Sequence, residues 1–489
     1  MPSLGVLWSD VSGKSNYLLP SGLNIGFLVN MKGLVLLLML LTGLVVQAQP
    51  ARPNIIYIMA DDLGYGDLGC YGQQRVATPN LDRLARQGTR LTRFYAGSTV
   101  CAPSRCALMT GKHMGHAYVR GNGEVPLRPT DTTLAQLLKN RGYTTGMFGK
   151  WGLGLEDNTG APQLKGWDQF LGYLDHRHAH NYHTDHLWQV QQGQLSRLPL
   201  DTAQYTHDLI MDAAVSFVRK NRQHPFFLYL PVTLVHAELA TTPADLAPFL
   251  NADGQSRFTP ETPFVKPAAS RYASQTRPRA TFAAMLTRLD SDVGKLLTLL
   301  TELGLDQTTY VFFTSDNGPH HEGGADPEFF NSNGPLRGIK RDLYEGGIRV
   351  PMLVRGPGVP AGRVSDQAWA NWDVLPTLCQ LANAPQPAGI DGLSMADWLR
   401  GKATDAPRNR ILFWQFNEGE LRQAVMQDNW KLIRLKKPDQ PERLELYNLG
   451  TDLEERNNVA GQNPALVKAL MKQMQAEQTP AEHPLFMWN

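Results

Sequence analysis

The chain has 489 residues, with 47 Lys and Arg against 45 Asp and Glu, 42 % hydrophobic residues and four cysteines. A net charge of +2 without a basic stripe excludes a nucleic-acid footprint, ordinary apolar content excludes wholesale disorder, and four cysteines are too few for a disulfide scaffold. At roughly 100 to 200 residues per domain, the length accommodates two or three domains, or one large α/β domain with an appendage.

Residues 1–48 read as an upstream extension followed by a secretory signal peptide. Met31-Lys32 is the natural start, Gly33 to Val46 the apolar stretch, and Val46-Gln47-Ala48 the cleavage site. The apolar stretch falls short of the roughly 20 residues a membrane span needs. An exported, periplasmic or secreted protein with no span in its mature part is therefore expected.

From Arg52 onward, short apolar runs alternate with amphipathic segments, the pattern of a sheet covered by helices on both faces. Strands are predicted at Asn54–Met59, Thr144–Phe148, Phe226–Leu230 and Tyr310–Thr314, and their unbroken apolar character suits strands buried on both sides. Helices are predicted at 78–87, with Thr78 as cap and Pro79 in the first turn, at about 204–220, and at 282–303, ending at Gly304. Residues 237–279, rich in Pro, Ala and Thr, read as an irregular excursion. After Pro385 four strand-like runs at 411–414, 422–426, 430–434 and 444–447 precede a helix at 464–477. The expected organisation is a catalytic domain over 52–385, a linker over 386–410 and an antiparallel α+β subdomain over 411–489.

In open α/β sheets ligands bind beyond the carboxyl ends of the strands. The first strand runs into Asp61-Asp62 and the one ending at Thr314 into Asp316-Asn317-Gly318; His236 closely follows another, and Lys150 ends the weak one. Three carboxylates and an amide oxygen are hard donors of the kind Ca²⁺ prefers, with Mg²⁺ second. Cys101-Ala102-Pro103-Ser104-Arg105 opens a helix whose amides and dipole favour negative charge, with Arg105 one turn on. Alone it marks only a candidate reactive thiol, with a buried structural cysteine or half of a disulfide as the alternatives.

Together these segments resemble the type I, formylglycine-dependent sulfatases, of alkaline-phosphatase-like α/β fold. Cys101 to Arg105 followed by Leu108-Met109-Thr110-Gly111 is similar to the family signature, Asn54 to Gly69 to its opening strand and aspartate pair, and Tyr143 to Gly154 to its second signature. Asp316-Asn317-Gly318, Leu336 to Pro351, and Leu446 to Asn457 resemble later blocks. The resemblance implies a large mixed or parallel sheet sandwiched by helices. It implies that a maturation enzyme oxidises Cys101 to formylglycine, whose hydrate attacks sulfur with one hydroxyl and expels sulfate with the other. It also implies Ca²⁺ on Asp61, Asp62, Asp316 and Asn317, Arg105 holding the formylglycine, Lys150 and Lys340 gripping sulfate oxygens, and His236 as general acid.

The chain departs from the family pattern at Gly152, where histidine is commoner. A substitute is expected in the cluster His176, His178, His180, His183 and His186, with His180 first and His183 beside it; His320 and His321 are rivals. Cys70 and Cys106 are candidates for pairing, whereas Cys379 sits on an apolar helical stripe. The expected activity is hydrolysis of a sulfate monoester, of a sulfated small molecule or more readily a glycan with galactose-type units. Hydrolysis of a phosphomonoester or phosphonate on the same fold, and an inactive sulfated-glycan-binding protein, are the alternatives.

Overall fold

The computed structural model describes residues 52–403 and 410–488; the leader lies outside them. Eleven strands build the main sheet: β1 (Asn54–Ala60), β2 (Thr89–Tyr95), β3 (Thr144–Lys150), β4 (Gln169–Tyr173), β5 (His186–Gln191), β6 (Gln194–Pro199), β7 (Phe226–Pro231), β8 (Thr309–Ser315), β9 (Arg349–Arg355), β10 (Arg363–Ser365) and β11 (Trp369–Ala370). Their order is β10-β2-β9-β8-β1-β7-β3-β4-β5-β6, with β11 also on β2. The centre, β8-β1-β7-β3-β4, is parallel, and β9, β5 and β6 join antiparallel. All four strands predicted before residue 385 lie in that parallel centre.

Alternation along β1 divides the core. Ile55, Tyr57 and Met59 face one apolar cluster, while Ile56, Ile58 and Ala60 face the other. The first cluster takes the helix Cys101–Thr110; the second takes the helices Pro79–Gln87, Thr206–Asn221 and Pro278–Glu302. The last of these stops where Gly304 adopts φ +68° and Leu305 N donates back to Leu300 O at 2.8 Å, a left-handed turn that glycine makes without strain. Thr78 does not cap its helix: its hydroxyl accepts from Gly69 N at 2.8 Å instead.

All four cysteines are free. Cys106 is buried on the first face of the sheet, whereas Cys70 packs against the second, so the sheet separates the candidate pair.

A second sheet, β12 (Ile411–Asn417), β13 (Leu421–Gln427), β14 (Trp430–Lys436) and β15 (Arg443–Asn448), is an antiparallel meander. One face packs Phe413, Val425 and Leu432 under Leu470 and Met474 of the helix Pro464–Ala476. The other face sends Trp414, Met426 and Ile433 into the first core cluster, and Trp414 Nε1 donates to Ala96 O at 2.9 Å. The meander is thus joined to the main core by its own apolar face.

Candidate active site

The β1–β8 register, with Ala60 opposite Ser315, brings the two acidic strand ends together. Asp316 N continues the ladder to Ala60 O at 3.1 Å, and Asp62 N donates to Asp316 Oδ1 at 3.1 Å. Asp62 has φ 60°, a left-handed conformation that costs a non-glycine residue about 1–2 kcal/mol and swings its carboxylate toward that of Asp61. Asn317 Nδ2 donates to Asp62 Oδ1 at 2.6 Å, and its Oδ1 is buried without a hydrogen-bond partner. Asp61, Asp62, Asp316 and Asn317 are each at most 1 % exposed.

Cys101 is the first residue of its helix and also buried. Its Sγ lies 3.2 Å from Asp61 Oδ1, and Asn122 Oδ1 accepts from the next amide, Ala102 N, at 2.9 Å. Burial first, and then the Asp61 carboxylate, hold the thiol well above its usual range. This seat opposes the ionisation that a helix N-terminus by itself favours. One turn on, Arg105 forks Asp316 Oδ2 with Nε at 3.1 Å and Nη2 at 2.7 Å, and Nη1 donates to Lys150 O at 2.8 Å.

Two buried lysines flank the acids. Lys150 Nζ, at the end of β3, lies 2.7 Å from Asp61 Oδ2; Lys340 Nζ lies 2.8 Å from Asp62 Oδ2, 2.9 Å from His236 Nε2 and 2.9 Å from Glu322 Oε2. Lys340 is placed by Lys340 N→Pro319 O at 2.8 Å, and the loop is tied to the segment before Cys101 by Arg341 N→Thr99 O at 3.1 Å. His236 Nδ1 is bonded to Ala237 O, leaving Nε2 to face Lys340 and Asp62. Burial opposes ionisation at Asp61, yet Lys150, with His236, Arg105 and Lys340, holds its carboxyl well below the usual range. Burial and the Asp61 charge instead push Asp316 up to about 6. Arg105 stands between the two, its Nη2 2.7 Å from Asp316 Oδ2 and 3.6 Å from Asp61 Oδ1. The all-oxygen set and the orphaned Asn317 Oδ1 fit a hard divalent cation.

Of the residues predicted from sequence, nine converge here: Asp61, Asp62, Cys101, Arg105, Lys150, His236, Asp316, Asn317 and Lys340. His180 joins them by stacking on His236, centroids 4.5 Å apart. His183 and His321 are not brought in: His183 packs against Tyr205, and His321 is 52 % exposed beside Glu328. Glu322 was not foreseen. It bonds Lys340 and also Arg341 Nη1, the latter at 2.7 Å; its only trace in sequence is nearness to the Asp316-Asn317 pair. A cleft of about 450 Å³, lined by Asn122, His176, His180, Arg271, Tyr272 and Arg341, opens beside the cluster. Larger clefts, of about 580 Å³ at Arg434 and Trp488 and 770 Å³ at Asn331 and Arg456, hold none of these groups.

A family model described as sulfatase matches residues 53–384, and one described as N-sulphoglucosamine sulphohydrolase, C-terminal, matches 339–480. The chain belongs to the sulfatase family. Human arylsulfatase A is 34 % identical over 426 residues, 79 % of this chain and 75 % of that protein. Human N-acetylgalactosamine-6-sulfatase is 31 % identical over 392 residues, 75 % and 69 % of the two chains. Among solved structures, Ps i-CgsB in complex with k-i-k-neocarrahexaose superposes with a TM-score of 0.72 at 29 % identity, covering 87 % of this sulfatase and 92 % of that chain. The sulfatase is accordingly a sulfuric ester hydrolase of alkaline-phosphatase-like fold, with a separate four-stranded antiparallel sheet near its C-terminus.

Proposed function

We propose that the protein releases sulfate from monoesters on carbohydrate, using a formylglycine derived from Cys101 and a Ca²⁺ ion. The observation that carries this is the seat of Cys101: a buried side chain 3.2 Å from Asp61, at a helix terminus, among two buried lysines and an arginine. Burial and the Asp61 carboxylate disfavour a thiolate nucleophile there, and an aldehyde hydrate supplies the two hydroxyls that displacement and release require. Asp61, Asp62, Asp316 and Asn317 would hold the cation, whose charge stabilises the sulfuryl oxygens and the incoming oxyanion.

The chain's own residues then divide the work. Arg105, fixed by Asp316 and Lys150 O, orients residue 101. Lys150 and Lys340 present ammonium groups to the sulfuryl oxygens. His236, its Nδ1 committed to Ala237 O, turns Nε2 to the leaving oxygen and donates a proton from that atom. The cleft with His180, Tyr272 and Arg271 suits a sugar ring with further anionic groups, in keeping with the oligosaccharide carried by Ps i-CgsB. Export through the leader and a dedicated maturation enzyme complete the reading, with 52–385 as the catalytic domain, 386–410 as linker and 411–489 as the C-terminal subdomain.

The test is a peptide mass spectrum around residue 101 from protein co-expressed with a maturation enzyme, with sulfate release measured on an aryl sulfate and on sulfated oligosaccharides. Thiol-to-aldehyde conversion with sulfate release, both lost in Cys101→Ala, is expected. Full activity of Cys101→Ala, or an intact thiol in active protein, would overturn the proposal.

A further inference from the structure

Gly152 has φ +75°, and a Cβ built on it would lie 2.6 Å from Cε1 and 3.1 Å from Nε2 of His176. The imidazole of His176 thus stands where a side chain at 152 would leave the backbone. Local pairing explains how it gets there. Trp151 N and Gly152 N donate to Tyr173 O and Leu174 O, each at 2.9 Å, extending the β3–β4 ladder, and His176 follows two residues later. A side chain at 152 would have to displace the His176 ring, and the positive φ itself favours glycine.

His176 is 7 % exposed, and neither Nδ1 nor Nε2 has a hydrogen-bond partner among the described residues. Each unpaired buried polar group costs roughly 1–3 kcal/mol, so the ring is held for a partner that arrives. It lines the 450 Å³ cleft with His180 and with Asn122, which is bonded to the amide next to Cys101. His180, by contrast, is stacked at 6° on His236 and shares that residue's side of the site.

We propose that His176 contacts the sulfuryl group of the substrate, filling from a different strand connection the position that Gly152 leaves empty. The ring donates one hydrogen bond to a sulfuryl oxygen beside the Lys150 ammonium and holds the sulfate ion after the ester is cleaved. This rests on the sulfatase reading of the same site.

The experiment uses full-length protein whose formylglycine content has been measured. His176→Ala is expected to lower kcat/KM by about 100-fold, the scale of losing one preorganised donor, and to weaken inhibition by inorganic sulfate by about 10-fold, with the melting temperature unchanged or raised. Gly152→His/His176→Ala should recover at least about 10-fold of that loss, since the position is then filled from the other side. Calorimetric titration of sulfate into Cys101→Ala and Cys101→Ala/His176→Ala gives a readout independent of turnover, with weaker binding expected in the double variant. Should His176→Ala fold poorly, His176→Gln keeps a donor and should retain more activity and sulfate binding than any other substitution. Wild-type kinetics and sulfate affinity in His176→Ala, or in a folded His176→Leu that offers no donor, would overturn the inference while leaving the sulfatase reading intact. A formylglycine-bearing wild type that releases no sulfate from any ester would strike the parent reading instead.

Discussion

Lys431 Nζ donates to Glu345 Oε1 at 2.9 Å, and neither side chain has any exposure to solvent. Glu455 Oε1 lies 2.9 Å from the same ammonium, off the hydrogen-bonding direction, while Glu455 Oε2 accepts from Glu345 N at 2.6 Å. Lys431 belongs to β14, and Glu345 follows the loop that carries Lys340, so this buried triad fastens the meander to the active site. Breaking a buried pair leaves charges uncompensated, and Lys431→Met is expected to cost about 3–5 kcal/mol; Glu345 stays paired with Arg349 Nη1 at 3.2 Å, so adding Glu455→Gln alone should restore most of it. Urea unfolding midpoints test this; equal stability of the single and double variants would contradict it.

Glu322 should act through Lys340. Glu322→Gln removes the charge facing Lys340, His236 and Arg341, and kcat/KM is expected to fall by about 10- to 100-fold as the lysine shifts. The melting temperature should change little. Steady-state kinetics at wild-type level would assign Glu322 to surface pairing alone.

Stability should depend on a cation. Chelation is expected to lower the melting temperature, and added Ca²⁺ to raise it by mass action, about 2.7 kcal/mol at a hundredfold excess over Kd. Asn317→Ala should reduce that gain. Differential scanning calorimetry with and without chelator decides it: an unmoved transition would mean that the oxygen set holds no ion.

His116 gives a pH signature away from the chemistry. Its Nδ1 lies 2.8 Å from Asp391 Oδ1, and that hydrogen bond raises its pKa. Because the folded value lies above the unfolded one, the contribution is fully present below the unfolded imidazole value of about 6.5 and is lost as pH rises through the folded pKa. His116→Asn should flatten the fall in melting temperature between about pH 6 and 8. Parallel curves for the two proteins would refute the assignment.

The parallel centre of the sheet was legible because buried strands announce themselves as unbroken apolar runs, and their polar ends are the site. What sequence hid has specific causes. In β9, Pro351 argues against an interior strand; it is tolerated because the β2–β9 pairing skips from Leu91–Met352 to Phe94–Val350, placing an irregularity opposite the proline. In the hairpin, β6 is mostly exposed and β5 buries only Leu187 and Val190, so its apolar signal is thin. The histidine cluster was visible as a cluster, and His180 does stack on His236. What sets His176 apart is that its ring lies against Gly152 in a neighbouring segment, and proximity of that kind is written in no linear pattern.

Cys101 is 2 % exposed in the finished fold. If, as proposed, a maturation enzyme oxidises it, that enzyme would have to reach it before the helix docks, and catalyst yield would become a race between modification and folding. The topology favours the slower runner: β1 cannot complete its pairing until Ser315 exists and has found Ala60, and such distant contacts form late. Variants that hasten the closure should therefore carry a smaller modified fraction at residue 101, measurable in the same peptide spectrum, and would be less active without any change in the structure finally reached.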